Sequence, residues 1–193
     1  MDTQEILAIF RDSQALLEGH FQLSSGLHSD RYFQCAKVLQ YPKYAELLCG
    51  VIAHHFRASF LDVVIAPALG GIVVGQEVGR QLRIRTLFAE RKEGVMQLRR
   101  GFHIAEGEKI LVCEDVVTTG GSVREVIEIV TRMGGKLAGT ACIVDRSGGA
   151  VEFSPGGKPF SLMRLDVVAY DPPLCPLCAK GIPVMKPGSR GNA

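Results

Sequence analysis

The sequence predicts an α/β fold, a central and mostly parallel sheet flanked by helices. Residues 62–66 (DVVIA), 84–89, 109–113 (KILVC) and 138–144 are short apolar runs without polar alternation, the pattern of strands buried on both faces. Helix-like segments at 72–82 and 123–133 lie between them, which gives a βαβ rhythm with right-handed crossovers. The composition, 47% hydrophobic and 22% charged over 193 residues, supplies a core of the size one such domain needs.

Taken in order, the elements begin with a helix. Asp2 and Glu5 have capping-box spacing, and Ile6, Leu7, Ile9 and Phe10 recur at helical intervals. A hairpin-like stretch follows at 21–34. Pro42 suits a first helical turn, after which Ala45, Leu47, Leu48, Val51, Ile52, His55 and Phe56 mark a second helix. The βαβ units come next, and Gly134 and Gly135 end the helix at 123–133. Beyond Arg146 the chain is rich in Gly and Pro, with a further strand expected around 162–170 and an irregular tail ending KPGSRGNA.

Gross properties narrow the function. A net charge of +2 with pI near 8.2, and no dense basic stripe or helix-turn-helix segment, argue against a nucleic-acid partner. No apolar run reaches the roughly 18 to 20 residues that cross a bilayer, and an acid opens the N-terminus, so the expected compartment is the cytoplasm, with no membrane association. Six cysteines are too few for a disulfide scaffold and are read mostly as reduced.

In open α/β sheets, ligands bind beyond the carboxyl ends of the strands. Four segments lie there: 66–71 (APALGG), 90–92 (ERK), 114–122 (EDVVTTGGS) and Asp145-Arg146. The third carries the most chemistry. Thr118, Thr119 and Ser122 offer hydroxyls, Gly120 and Gly121 permit close backbone approach, and a following helix N-terminus favours phosphate. Glu114 and Asp115 would repel that phosphate unless they serve something else, such as vicinal sugar hydroxyls or Mg²⁺ held through water. A phosphorylated sugar satisfies both halves. No Lys follows the glycine pair and 70–75 (GGIVVG) lacks GxGxxG spacing, which sets aside Walker and dinucleotide loops.

Residues 110–123 (ILVCEDVVTTGGSV) resemble the phosphoribosyl-diphosphate signature of the type I phosphoribosyltransferases. Within that family the chain most resembles the orotate phosphoribosyltransferases, through Ser25-Gly26, 29–33 (SDRYF), 66–72 (APALGGI), 90–93 (ERKE) and 144–146 (VDR). The tail, with CPLC and KPGSR, resembles a subgroup often found in thermophiles. The resemblance implies the type I fold in a single domain, 1–193, with 1–40 and about 150–193 forming a small hood and tail. It also implies a reaction: orotate and phosphoribosyl diphosphate, with Mg²⁺ carried by the donor, give orotidine monophosphate and pyrophosphate in pyrimidine (UMP) synthesis.

On the same resemblance, Glu114 and Asp115 would hold the ribose hydroxyls and Thr118, Thr119, Gly120, Gly121 and Ser122 the 5′-phosphate, with Val116 and Val117 inside the donor-binding segment. Thr118 and Arg146 match positions that contact orotate. Arg91 and Lys92 match positions that neutralise pyrophosphate, typically in the neighbouring subunit's site, which implies a homodimer. The 90–102 segment, with Gly94 and Gly101 as hinges, is the expected lid.

The chain departs from the family pattern in places. Ser24 and Gly70 stand where many members carry lysine, and 94–101 (GVMQLRRG) lacks the usual loop lysine and histidine, leaving Arg99, Arg100 or His103 as substitutes. Tyr32 and Phe33 are candidates to flank orotate, although alternating aromatics in a strand are more often core. Cys175-x-x-Cys178 is half of a zinc site, and zinc is the weaker expectation because two further ligands must come from distant residues or a second chain. Two rival functions share the donor loop: a purine or other base phosphoribosyltransferase, and a non-catalytic regulator that senses phosphoribosyl diphosphate.

Overall fold

A computed structural model describes residues 1–23, 26–165 and 169–186. Ser24, Ser25, part of the strand expected at 162–170, and the KPGSR motif from residue 187 onward lie outside the described residues.

The first helix, α1 (Thr3–Asp12), starts where the capping box puts it: the amides of Gln4 and Glu5 donate to Asp2 Oδ1 at 2.8 and 2.9 Å, and the Asp2 amide donates to Glu5 Oε2 at 2.7 Å. Strands β1 (Leu16–Gln22) and β2 (His28–Phe33) form the expected hairpin, which begins earlier than the sequence pattern suggests. Helices α2 (Cys35–Leu39) and α3 (Pro42–Phe56) follow, the latter with its proline at the first turn. Then come β3 (Val63–Pro67), α4 (Gly70–Leu82), β4 (Arg85–Lys92), β5 (Val95–Leu98), β6 (Lys109–Val117), α5 (Gly121–Arg132) and β7 (Lys136–Asp145). The described chain closes with β8 (Phe160–Arg164), the two-residue β9 (Ala169–Tyr170) and the single-turn α6 (Pro176–Ala179).

Six strands form the main sheet in the order β5-β4-β3-β6-β7-β8, with all neighbours parallel except the antiparallel β4–β5 pair. The two faces are covered separately. Val64, Leu111, Cys113, Ala141 and Ile143 pack with α1, α2, α3 and α4, whereas Val63, Ile65, Ile110, Val112 and Cys142 pack against α5 and β5. This explains the absence of polar alternation, because successive residues of each central strand enter different but equally apolar layers. A second sheet, β1-β2-β9, joins residues from near the two ends of the chain.

The order of the parallel strands fixes where a ligand can enter. From β3 the chain first moves to one side to form β4, then returns to form β6 on the other side. The crevice between the carboxyl ends of β3 and β6 is therefore the topological switch point, the usual binding place in such sheets.

Two expectations change. The strand anticipated at 109–113 continues to Val117, so Glu114 and Asp115 lie within β6 rather than after it; pairing with β7 persists through Val117 opposite Asp145. The expected lid at 90–102 includes an edge hairpin instead of an open loop. Glu93 and Gly94, at φ +55° and +82°, make its two-residue turn, and Met96 is buried against the α5 face. Among the described residues no helix is long and apolar enough to cross a membrane, and all six cysteines are unpaired with one another.

Candidate active site

At the switch point Glu114 is buried and Asp115 half-buried. Each carboxylate is turned back onto the backbone: the Asp115 amide donates to Glu114 Oε1 at 3.0 Å, and the Val116 amide donates to Asp115 Oδ1 at 2.9 Å. Burial, and then the Asp115 charge, push the Glu114 carboxyl up to about 9. Both effects disfavour the charged form of Glu114, so a cation or hydroxyl donors placed at this carboxylate would stabilise it.

Gly70 and Gly71 form the wall opposite the acids. A Cβ at Gly70 would collide with the Asp115 carboxylate, and one at Gly71 would come within 2.9 Å of Glu114 Oε1. The glycine pair at the start of α4 is thus needed for close approach to the acid pair. A side chain at position 70 would fit only by moving Asp115.

Beyond β6 the chain turns through exposed Thr118 and Thr119 to Gly120, the left-handed cap of α5 at φ +76°. Glycine is required there twice over, since a Cβ would also meet Phe153 and Val151 at 2.9 Å. Amides in the first turn of α5 lack intrahelical acceptors and surround a cavity of about 240 Å³. Its lining comprises Arg91, Glu114 and the run from Val116 through Val123. The segment predicted from sequence, Glu114 to Ser122, thus sits around one concavity, with Asp115 alongside its acid partner.

The cations are distributed unevenly. Arg91 lines the cavity of its own chain, tethered by Glu125 at 2.8 Å and by donation to the Gly94 carbonyl at 2.8 Å. Lys92 is exposed at the end of β4. Arg99 and Arg100, the suggested substitutes for the loop cations, are paired instead with Glu90 at 3.3 and 3.0 Å, and Arg100 also lies over the Phe88 ring. His103 offers its carbonyl to Arg85 and is absent from the cavity lining. Of these five only Arg91 lines the cavity at the phosphate loop.

Arg146 follows β7, its amide donating to the Val117 carbonyl at 2.8 Å, so it is held beside the loop. Burial pulls its guanidinium below its ordinary value, opposed by nearby Tyr32 and Cys35. Its Nε is buried without a hydrogen-bond partner, and among the described residues no carboxylate pairs with it. The adjacent Asp145 is occupied elsewhere: Oδ1 accepts from the Ser147 amide at 2.8 Å and its hydroxyl at 2.6 Å, while Arg164 lies 3.9 Å from Oδ2. A half-buried cation with an orphaned N–H is suited to an anion not supplied by the chain. Of the two aromatics, Phe33 is core, packed edge-on to Phe10 at 5.9 Å, whereas half-buried Tyr32 sits near Arg146.

Sequence reasoning missed the packing of Gly70 and Gly71 against the acids and the Glu125 tether on Arg91. The glycine pair was visible but read as a loop feature, and no local pattern connects Arg91 to a residue on α5.

Comparison with known proteins agrees with this geometry. The phosphoribosyl transferase domain matches residues 46–154, which span the sheet centre and the entire loop. The orotate phosphoribosyltransferase of Chlorobaculum parvum is 58% identical over 193 residues, covering 100% of this chain and 99% of that one. Its counterpart from Caldicellulosiruptor bescii is 55% identical over 191 residues, covering 98% and 99%. In three dimensions, the crystal structure of orotate phosphoribosyltransferase from Aeropyrum pernix is similar, with a TM-score of 0.72 and 21% identity over 83% of this chain and 93% of that one. With a switch-point acid pair, a glycine-capped phosphate loop and full-length relatives of this kind, the chain belongs to the phosphoribosyl transferase family, in its orotate phosphoribosyltransferase branch.

Proposed function

We propose that this enzyme transfers the 5-phosphoribosyl group from phosphoribosyl diphosphate to orotate, giving orotidine 5′-monophosphate and pyrophosphate in pyrimidine synthesis. The observation that carries the reading is the pairing of a phosphate-type loop with an acid pair short of positive partners. The 5′-phosphate accepts hydrogen bonds from the amides and hydroxyls of Thr118 to Ser122 at the α5 N-terminus. Glu114 and Asp115 accept from the two ribose hydroxyls, which relieves their mutual repulsion. Thr118 and Arg146 take orotate, the guanidinium pairing with its carboxylate, and Tyr32 borders the ring.

The acid pair is also compatible with Mg²⁺ arriving on the donor, since hard carboxylate oxygens in a site lacking positive charge suit a cation held through hydroxyls and water. Bound there, Mg²⁺ would supply charge neutralisation for the diphosphate as it leaves. As the bond from the anomeric carbon to the diphosphate oxygen breaks, positive charge develops on the ribose and the orotate nitrogen attacks that carbon. The protein contributes alignment and fixed charge rather than a covalent intermediate. Arg91 on the cavity wall faces the phosphates, and exposed Lys92 extends toward a neighbouring subunit's pyrophosphate in a homodimer. A cytoplasmic setting suits six unpaired cysteines.

Orotate absorbance tests the reading directly. Purified protein with phosphoribosyl diphosphate and Mg²⁺ should consume orotate, and both the Glu114→Ala/Asp115→Ala variant and a metal-free sample should fail to do so. Donor binding with untouched orotate would overturn the base assignment and make purine bases the next substrates to test.

A further inference from the structure

We propose that His20, His28, Cys175 and Cys178 form a closed tetrahedral site for a divalent ion of the zinc type, which staples the C-terminal segment to the β1–β2 hairpin. The four ligand atoms, one from each side chain, lie within 4.8 Å of one another. Sequence alone exposes only the Cys pair. The hairpin contributes His20 from β1 and His28 from β2, and the start of α6 contributes both sulfurs.

The distances match the chemistry. With metal–nitrogen bonds of about 2.0–2.1 Å and metal–sulfur bonds of about 2.3 Å, a tetrahedron has nitrogen-to-sulfur edges of roughly 3.5 Å. Cys175 Sγ lies 3.6 Å from His20 Nε2, and Cys178 Sγ lies 3.7 Å from His20 Nε2 and 3.3 Å from His28 Nδ1. The two nitrogens are 2.8 Å apart, somewhat closer than the roughly 3.3 Å edge of a loaded site, so loading requires a small separation of the rings.

The surroundings prepare the ligands. His20 Nδ1 is 2.7 Å from the Ile182 carbonyl, where only the N–H tautomer can bond. Its Nε2 must then present a lone pair to the cluster, the arrangement by which outer partners orient metal-bound imidazoles. His20, His28 and Cys175 are all buried, and without a cation one imidazole-to-imidazole hydrogen bond leaves both thiols with weak partners only.

Packing gives the tail little other anchorage. Leu174, Ile182, Val184 and Met185 are 79%, 41%, 50% and 51% exposed, so its apolar side chains do not provide a core. One four-residue helix cannot hold itself together in water. Among the described residues, two backbone hydrogen bonds join the tail to β1, from Met185 to the His20 carbonyl at 2.7 Å and from Gln22 to the Met185 carbonyl at 2.8 Å. A metal ion supplies the missing linkage, as it does in small domains with too little core. Two imidazoles and two thiolates favour zinc over Mg²⁺ or Ca²⁺, and four protein ligands leave no open position, so the role is structural.

The test uses the full chain, purified without a metal-affinity tag. Elemental analysis should find about one zinc per chain, lost in the Cys175→Ser/Cys178→Ser variant. Metal-stripped protein titrated with Co²⁺ should develop the intense visible bands of a tetrahedral thiolate site. Cys178→Ser, altered at the surface and therefore expected to stay folded by circular dichroism, should bind at least about tenfold more weakly. Zinc should raise the melting temperature of the stripped wild type and leave that of the double variant unchanged. The proposal is overturned if the stripped wild type takes up neither metal, or if Cys178→Ser binds as tightly as wild type.

Discussion

At Glu114, burial and the neighbouring Asp115 charge act in the same direction, lifting the carboxyl from near 4.5 to about 9. A raised folded-state value means that this group's contribution to stability is fully present below about pH 4.5 and is lost progressively as pH rises toward 9. Glu114→Gln keeps the shape and removes the titration, so the ligand-free variant should melt higher than wild type near about pH 8 and differ little near about pH 5. Parallel thermal melts check this, and a pH-independent difference would refute it. Arg146 presents the opposite case, a guanidinium with a buried unpartnered Nε. Arg146→Ala should lower kcat/KM for orotate by roughly 30- to 150-fold, the worth of about 2–3 kcal/mol of charge-assisted bonding, while leaving donor affinity unchanged. Steady-state kinetics with each substrate varied in turn separates the two effects.

Across elements, the site depends on how closely α4 approaches β6. In a Gly70→Ala variant the new methyl would displace the Asp115 carboxylate, a movable side chain, rather than backbone. The melting temperature should therefore shift by only a few degrees, roughly what 1 kcal/mol produces, whereas KM for phosphoribosyl diphosphate should rise about tenfold or more. An unchanged KM would show that Asp115 does not engage the donor. This contact also marks the boundary of what the sequence made legible. The parallel strands were visible because each apolar run feeds two dry layers, and the loop because Glu114, Asp115, Gly120 and Ser122 are close in sequence. The extension of β6 through Val117 was hidden because polarity ended the apolar run while backbone pairing continued. The meeting of Gly70 with Asp115, and of His20 with Cys175, depends on the path of the chain in space, which no local periodicity encodes.

For the whole molecule, a shared-site arrangement, in which one chain completes another's site, has a signature in activity. Arg91 is committed to its own chain by Glu125 and the Gly94 carbonyl, whereas Lys92, next along β4, is exposed. The two residues point different ways because alternate strand residues face opposite sides. If Lys92 serves the neighbouring site in a homodimer, Lys92→Ala and Arg146→Ala damage different components of each shared site. A heterodimer of the two variants then has one site with both defects and one with neither. Mixing equal amounts after subunit exchange makes half the dimers mixed, so about a quarter of wild-type activity should return. Lys92 acting within its own chain predicts no recovery, because every site would retain one lesion. The rescued fraction thus measures the subunit arrangement through activity, and size-exclusion chromatography of the same mixture establishes that dimers were present to exchange.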